Sequence, residues 1–195
     1  MIKAIIFDCF GVLTTDGWLP FKRKYFGHDT ELFEEAGRIN VLADSGKISN
    51  SQFVKQVAEL AKISFDSAKY EMRNNVTNTE LVEYIESKLA PNYAIGMLSN
   101  ASGNFLDKLF TIEQLNLFKA VSLSCDTGYV KPDEGAYKSI VSALGLNFED
   151  CIFIDDQPRY IEGAMQIGLR SILYQDFEQM KTELETILEM SDTDK

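Results

Sequence analysis

The sequence predicts a doubly wound, Rossmann-like α/β fold in which a parallel sheet forms the core and an α-helical cap is inserted. Short apolar runs of strand length alternate with helical patterns over much of the chain, which is typical of parallel strands joined by crossover helices. The interval 17–89 breaks this alternation, because it is charged, rich in helix-forming residues and without a convincing strand. We therefore expect a core of residues 1–16 and 90–195 and a helical cap of residues 17–89.

Five apolar runs are the candidate strands: 3–7, 94–98, 120–122, 151–154 and 171–173. Four helical patterns separate or follow the later runs: 105–110, 134–144, 160–167 and 176–190. In the predicted cap, Ser49 precedes the apolar positions Phe53 and Val57, which share one helical face, so we expect a helix to begin there. Ser64 or Asp66 can begin a further cap helix.

Composition limits the classes of partner. With 195 residues, 45% of them hydrophobic, the chain can bury a full core. The 30 acidic residues exceed the 19 basic ones and give a formal charge of -11, which argues against nucleic acid or an anionic membrane as the main partner. The three cysteines lack metal-ligand spacing, and the amino-terminal segment resembles neither a signal peptide nor a membrane span. We expect a cytoplasmic protein, monomeric or homodimeric, that acts on a small molecule.

Asp8 is the first candidate for catalysis, because it ends the apolar run 4–7 and is followed by a glycine turn. Open parallel sheets bind their ligands at the carboxyl ends of the strands. A carboxylate there can attack phosphorus and carry the phosphoryl group, which divides one difficult displacement into two easier ones. Asp8 is therefore a candidate nucleophile.

Asp155 and Asp156 follow another candidate strand and are the expected metal ligands. Attack of a carboxylate on a phosphate dianion requires positive charge, and Mg²⁺ with oxygen ligands supplies it. Two adjacent carboxylates at a buried strand end would raise each other's pKa unless a cation shared the site. The alternative is a solvated acidic turn before a helix that Pro158 starts.

Three further residues predict a phosphate-binding site. Ser99 and Asn100 end the run 94–98, where a hydroxyl and free backbone amides ahead of a helix could hold a phosphate; the alternative is an ordinary helix cap. Lys131 precedes Pro132 and a helix, and its compact charge suits a phosphate or a neighbouring carboxylate, although a Lys before a Pro can also be a surface turn.

At these residues the chain resembles the haloacid dehalogenase superfamily of hydrolases, over nearly its whole length. That family has four motifs in order: a strand ending in Asp-x-Asp-x-Thr/Val, a strand ending in Thr or Ser, a Lys and an acidic pair. The corresponding segments here are FDCFGVL with Asp8, MLSN with Ser99, YVKPD with Lys131 and FIDDQPRYIEGA with the acidic pair. The insert and its segment LADSGKISNSQF resemble the helical cap of subfamily I, in the branch of small sugar-phosphate phosphatases.

The resemblance implies a Mg²⁺-dependent phosphatase that acts on a small phosphorylated metabolite through an aspartyl phosphate on Asp8. Asp8, the backbone carbonyl of Phe10 and the carboxylate of Asp156 would bind Mg²⁺, and Asp155 would support them directly or through water. Ser99 and Lys131 would hold the phosphoryl group.

Phe10 is the main departure from the family pattern, because phosphatases of the family have there a second Asp that acts as general acid and base. Three interpretations follow. The chain is a phosphatase whose leaving group departs without much protonation, such as a sugar 1-phosphate or an acyl phosphate. It is a 2-haloacid dehalogenase, a branch with an aromatic residue at this position but without the acidic pair or Mg²⁺. Or it is a catalytically weak protein that binds a ligand or a partner.

Overall fold

The core is a five-stranded, all-parallel sheet with helices on both faces. The computed structural model describes residues 1–103 and 105–193. The strands among them are β1 (Ala4–Phe7), β2 (Ala94–Ser99), β3 (Phe118–Leu123), β4 (Cys151–Asp155) and β5 (Arg170–Leu173). They lie in the order β3-β2-β1-β4-β5. The predicted α/β class and parallel sheet are confirmed, and each predicted run overlaps an observed strand.

The helices in the described part of the chain are α1 (Trp18–Phe26), α2 (Thr30–Asp44), α3 (Asn50–Ala61), α4 (Phe65–Arg73), α5 (Thr79–Tyr84), α6 (Leu106–Leu109), α7 (Ile112–Leu115), α8 (Ser124–Thr127), α9 (Glu134–Leu144), α10 (Pro158–Gln166) and α11 (Phe177–Thr193). A π-helical turn, Ile85–Leu89, extends α5, and a 3₁₀ turn, Phe148–Asp150, precedes β4. The helix predicted at 134–144 has the predicted bounds. No described helix has the length and apolar character needed to cross a membrane.

Two hydrophobic clusters cover the two faces of the sheet. On one face Ile5, Phe7 and Ile95 pack with residues of α5, the π-helical turn and α11. On the other face Ile6 and Phe153 pack with residues of α9 and α10. Because side chains alternate along a strand, neighbouring residues of β1 belong to opposite clusters, and the central strand is buried on both faces.

A third hydrophobic cluster lies among α1, α2, α3 and α4 and has Phe26, Ala36, Val57 and Ala68 at its centre. The predicted cap interval 17–89 also contains α5 and the π-helical turn, whose buried residues belong to the cluster on the sheet. The predicted division of the chain stays a prediction, and this packing favours a cap formed by α1 to α4. The predicted core segment 90–195 includes residues 104, 194 and 195, which lie outside the described residues.

Helices α3 and α4 begin directly after the serines that the sequence indicates. The Ser49 hydroxyl accepts a hydrogen bond from the backbone N–H of Gln52, and the Gln52 side chain accepts one from the Ser49 N–H. Ser64 accepts from the N–H of Ser67 and precedes α4, whereas Asp66 lies within that helix. Each hydroxyl satisfies a donor that the first turn of a helix leaves free.

Replacing Ser49 with Ala removes the capping box of α3. We expect the free energy of unfolding to fall by about 1 kcal/mol, measured by urea denaturation. Ser51, exposed in the first turn of the same helix, provides the control, and Ser51→Ala should change stability by only a few tenths of that amount, about 0.3 kcal/mol or less. Equal effects of the two substitutions would contradict the capping role.

Candidate active site

The candidate catalytic residues meet at one edge of the sheet because their strands end at the same level. In register, Phe7 of β1 lies opposite Met97 of β2 and Ile154 of β4. Asp8 therefore follows the central strand directly between the ends of its two neighbours. Ser99 is the last residue of β2, and Asp155 is the last residue of β4.

The buried ammonium group of Lys131 contacts residues at the ends of three strands on this edge. Its Nζ lies 2.8 Å from Asp8 Oδ1 and 2.6 Å from Asp155 Oδ2, and it donates a hydrogen bond of 3.2 Å to the carbonyl of Leu98. The Lys131 side chain has no exposed surface. Burial lowers the pKa of Lys131, but the carboxylates of Asp155 and Asp8 outweigh it and raise that pKa above its usual value.

Asp8 is almost fully buried, and burial raises its pKa well above the usual value, against the opposing effect of Lys131. Both short contacts of its carboxylate are at Oδ1, which accepts hydrogen bonds from Lys131 and, at 2.7 Å, from the N–H of Cys9. Asp8 also lines the cleft described below. The other oxygen, Oδ2, carries neither contact and is the oxygen with capacity to react.

The acidic pair divides into two environments. Asp155 is fully buried, and its two oxygens contact Lys131 and the N–H of Gln157. Asp156 is half-buried; its Oδ2 accepts a hydrogen bond of 2.6 Å from the Gln157 side chain, whereas the buried Oδ1 has no partner among the described residues. Burial, together with the neighbouring Asp155, raises the pKa of Asp156 to about 6. Oxygen atoms of Asp8, Asp155 and Asp156 lie within 4.8 Å of one another, so the three could share one cation.

Gly11 makes room for the Asp156 carboxylate. It has a φ of +91°, and a β-carbon added there would lie 2.5 Å from Asp156 Cγ. A side chain at position 11 would therefore be strained by its backbone conformation and would also collide with the carboxylate.

The last residue of β2 and the residue that follows it have different roles in the structure. The Ser99 hydroxyl is buried and has no hydrogen-bond partner among the described residues; such a group normally has one. The Asn100 side chain accepts a hydrogen bond of 2.8 Å from the Lys131 N–H and donates bonds of 3.1 Å to the Lys131 carbonyl and the Tyr160 hydroxyl. Asn100 thus fixes the backbone that presents the lysine, a contact that the sequence does not reveal.

A cleft of about 320 Å³ opens above this edge, between the sheet and α1 to α4. Asp8, Lys131 and Asp156 lie at its floor, and the Phe10 side chain lines it while packing against Phe105 at 4.9 Å between ring centroids. Further lining groups are Asp16 and, among residues that sequence reasoning did not identify as site residues, Lys22, Asn40, Asp44, Arg73 and Arg159. They come from separate helices and loops, and only the tertiary fold brings them together.

A family model described as haloacid dehalogenase-like hydrolase matches residues 2–168. The chain belongs to this family. The resemblance carried by the four motifs is confirmed, and the protein is a hydrolase. Phosphatases of this family have a second Asp in the first motif, and in this chain Phe10 stands at that position.

Individual family members agree with this assignment. The phosphatase MT3486 of Mycobacterium tuberculosis (strain CDC 1551 / Oshkosh) is 27% identical over 192 residues, covering 88% of this chain and 87% of that protein. A haloacid dehalogenase family enzyme from Bacteroides thetaiotaomicron, in complex with magnesium and inorganic phosphate, matches 92% of this chain and 99% of its own with a TM-score of 0.70 and 22% identity. A 2-haloacid dehalogenase from Pseudomonas syringae pv. Tomato DC3000 matches 89% of this chain and 86% of its own, with a TM-score of 0.59 and 18% identity. The two structures share the fold of this chain.

Gly11→Ala tests the contact between the turn after β1 and Asp156. Gly145 also has a positive φ, +70°, but no atom lies within 4 Å of a β-carbon added there, so Gly145→Ala should cost about 1 kcal/mol for the backbone alone. We expect Gly11→Ala to lower the free energy of unfolding by roughly 2 kcal/mol more than this control, because the carboxylate must move. Guanidinium denaturation of the two variants measures the difference, and equal losses would contradict the close packing.

Proposed function

We propose that the protein is a Mg²⁺-dependent phosphatase that hydrolyses a small phosphorylated metabolite through an aspartyl phosphate on Asp8. The observation that carries the proposal is the buried Asp8 carboxylate at the end of the central strand, with the Lys131 ammonium 2.8 Å from its Oδ1. One oxygen is held by that ammonium and by the Cys9 N–H. The other is available to attack a phosphorus atom in the cleft.

In the first step, Oδ2 of Asp8 attacks phosphorus while the bond to the leaving oxygen breaks on the opposite side. Lys131 offsets the negative charge that gathers around the phosphoryl group. The unpartnered Ser99 hydroxyl supplies a hydrogen bond to a phosphoryl oxygen. In the second step, water attacks the aspartyl phosphate, releases phosphate and restores the Asp8 carboxylate.

The site also fits a divalent cation. Asp156 Oδ1 is buried without a partner, Gly11 leaves space for that carboxylate, and Asp8 lies beside it. Oxygen ligands of this kind suit Mg²⁺. Asp8, Asp156 and the backbone carbonyl of Phe10 would hold the ion, which when bound would supply positive charge to the phosphoryl oxygens.

Asp155 and Asn100 act mainly through Lys131 in this proposal. Both oxygens of Asp155 already have partners, one of them the Lys131 ammonium, so Asp155 supports the ion indirectly. The Asn100 amide holds the Lys131 backbone from both sides. The expected phosphate contact at Asn100 is then made by backbone N–H groups after β2 rather than by its side chain.

The composition of the cleft favours a small anionic substrate that α1 to α4 partly enclose. Its volume of about 320 Å³ lies at the small end of ordinary ligand pockets. Lysine and arginine side chains line it despite the acidic excess of the chain as a whole. We therefore place the substrate's non-phosphate part against the cap helices.

Phe10 favours a second candidate function, dehalogenation of a 2-haloacid, because a halide leaves carbon without receiving a proton. In that reaction Asp8 would attack carbon and form an ester. The Asp155 and Asp156 pair argues against it, since halide displacement does not need a cation. Halide release that persists with a metal chelator would favour dehalogenation.

Asp8→Asn tests the proposed function. We expect the wild-type protein with Mg²⁺ to release phosphate from at least one member of a panel of phosphorylated metabolites that includes sugar 1-phosphates and acyl phosphates. The amide is a poor nucleophile, so the variant should lose turnover by at least about a thousandfold. Full activity in purified Asp8→Asn would contradict the covalent mechanism. If the wild type releases no phosphate from any member of the panel, dehalogenation or a binding role is favoured.

The two acidic variants separate the proposed roles in Mg²⁺ binding. Asp156→Asn should weaken Mg²⁺ binding at least about tenfold, whereas Asp155→Asn should weaken it less and instead lower the free energy of unfolding, because Lys131 loses a buried partner. Isothermal titration calorimetry with Mg²⁺ and thermal unfolding measure the two effects. If Asp156→Asn binds Mg²⁺ as the wild type does, the ligand assignment is wrong.

A further inference from the structure

A buried carboxyl group on the cap side of the cleft has no role in the mechanism above. Asp44 is the last residue of α2, is 7% exposed and lines the same cleft as Asp8. Its Oδ2 accepts a hydrogen bond of 2.8 Å from the Asn40 side chain. Its Oδ1 has no hydrogen bond among the described residues and keeps some exposure, on a residue that lines the cleft.

The position of Asp44 is unfavourable for stability. A negative charge at the carboxyl end of a helix opposes the helix dipole, and no described cation forms an ion pair with this carboxylate. Burial is the main cause that raises the pKa of Asp44, to about 7, against the smaller opposing effect of the Asn40 hydrogen bond. A residue retained only for packing would not need a carboxyl group here.

The charged and titratable groups around Asp44 come from several elements. Lys131 before α9 and Arg159 of α10 lower its pKa, and Asp16, in the loop before α1, raises it. Cys125 of α8 senses the Asp44 charge, but burial raises the pKa of that thiol to about 11, so it stays neutral near pH 7. Asp44 can therefore exchange a proton near neutral pH in electrostatic contact with the lysine that holds Asp8.

The geometry of the displacement requires a proton donor on the side of the cleft that the helices form. In an in-line displacement the leaving oxygen lies opposite the attacking oxygen. Asp8 attacks from the end of the sheet, so the leaving oxygen faces the helices across the cleft, where Asp44 lies. Phe10, at the turn after β1, has no proton to give.

We propose that Asp44 is the general acid and base of this phosphatase and supplies from the cap the proton transfer that Phe10 cannot. The inference rests on the proposed phosphatase function. As the bond from Asp8 to phosphorus forms and the bond from phosphorus to the leaving oxygen breaks, the Asp44 carboxyl proton passes to that oxygen, which departs as an alcohol. Asp44 is then a carboxylate. It accepts a proton from the water that attacks the aspartyl phosphate, and phosphate and the original carboxyl group result.

A series of substrates with graded leaving groups tests the assignment. p-Nitrophenyl phosphate needs no acid, whereas glycerol phosphate, an alkyl ester, does. Asp44→Asn should lower kcat/KM for glycerol phosphate by about a hundredfold or more and for p-nitrophenyl phosphate by no more than roughly threefold. In the wild type, glycerol phosphate hydrolysis should decline above about pH 7, the pKa of Asp44, relative to p-nitrophenyl phosphate hydrolysis, and this decline should be absent in the variant.

Stability separates a catalytic from a structural role. The folded-state pKa of Asp44 is raised above the unfolded-state value, so its ionisation destabilises the protein as the pH rises through the window between the two values. Asp44→Asn should therefore unfold at a higher temperature than the wild type, and the gain should be larger at pH 8 than at pH 5. Glu34→Gln, an exposed change on the same helix, is the control for both activity and stability.

Each outcome decides between the proposals. Equal losses of kcat/KM on both substrates in Asp44→Asn, or no loss on glycerol phosphate, would overturn the role of Asp44 and leave the proposed phosphatase function unaffected.

Adding Phe10→Asp to Asp44→Asn should restore alkyl ester hydrolysis, because it returns an acid to the turn after β1. If Asp44→Asn does not fold, the wild-type pH profiles decide, and identical profiles for the two substrates overturn the role. Absence of phosphate release from every substrate by the wild type would overturn both the phosphatase and this inference.

Discussion

The buried ammonium of Lys131 is the contact on which the rest of the site depends. An ammonium group has three N–H donors, and here they meet Asp8, Asp155 and the carbonyl of Leu98. Buried charges are tolerated when they are paired and hydrogen-bonded in this way. One side chain therefore joins the ends of β1, β2 and β4, and its positive charge opposes the rise in the pKa of Asp8 that burial causes.

Local patterns in the sequence were sufficient to predict the sheet and α9, because continuous apolar runs of strand length and helical periodicity depend on neighbouring residues. They were insufficient to predict the contact of Asn100, whose amide binds the Lys131 backbone 31 residues further on, and the packing of α5 against the sheet, because the sequence places α5 in the predicted cap interval. The different environments of Asp155 and Asp156 follow from the alternation of side chains at a strand end. That alternation is readable in the sequence, but the positions of their partners are not.

The net negative charge of the whole chain does not predict the charge of the cleft. Asp16, Asp44 and Asp156 all have a raised pKa because burial disfavours their charged forms, while Lys22 and Arg159 line the same space. The local charge of the cleft therefore differs from the net charge of -11 of the whole chain. The charge of the cleft depends on which of these acids are ionised, and residues of the helices contribute to it together with residues at the ends of the strands.

The central position of β1 has a consequence for assembly of the protein. Asp8 directly follows β1, and β1 pairs with strands that lie far along the chain and begin at Ala94 and Cys151. Lys131 also comes more than a hundred residues later. Pairings between such distant segments form slowly, so the nascent chain carries a hydrated Asp8 until β4 docks. The Asp8 carboxylate acquires its buried environment only after Lys131 and β4 have been synthesised, and a chain that stopped before them would leave this carboxylate without its ammonium partner.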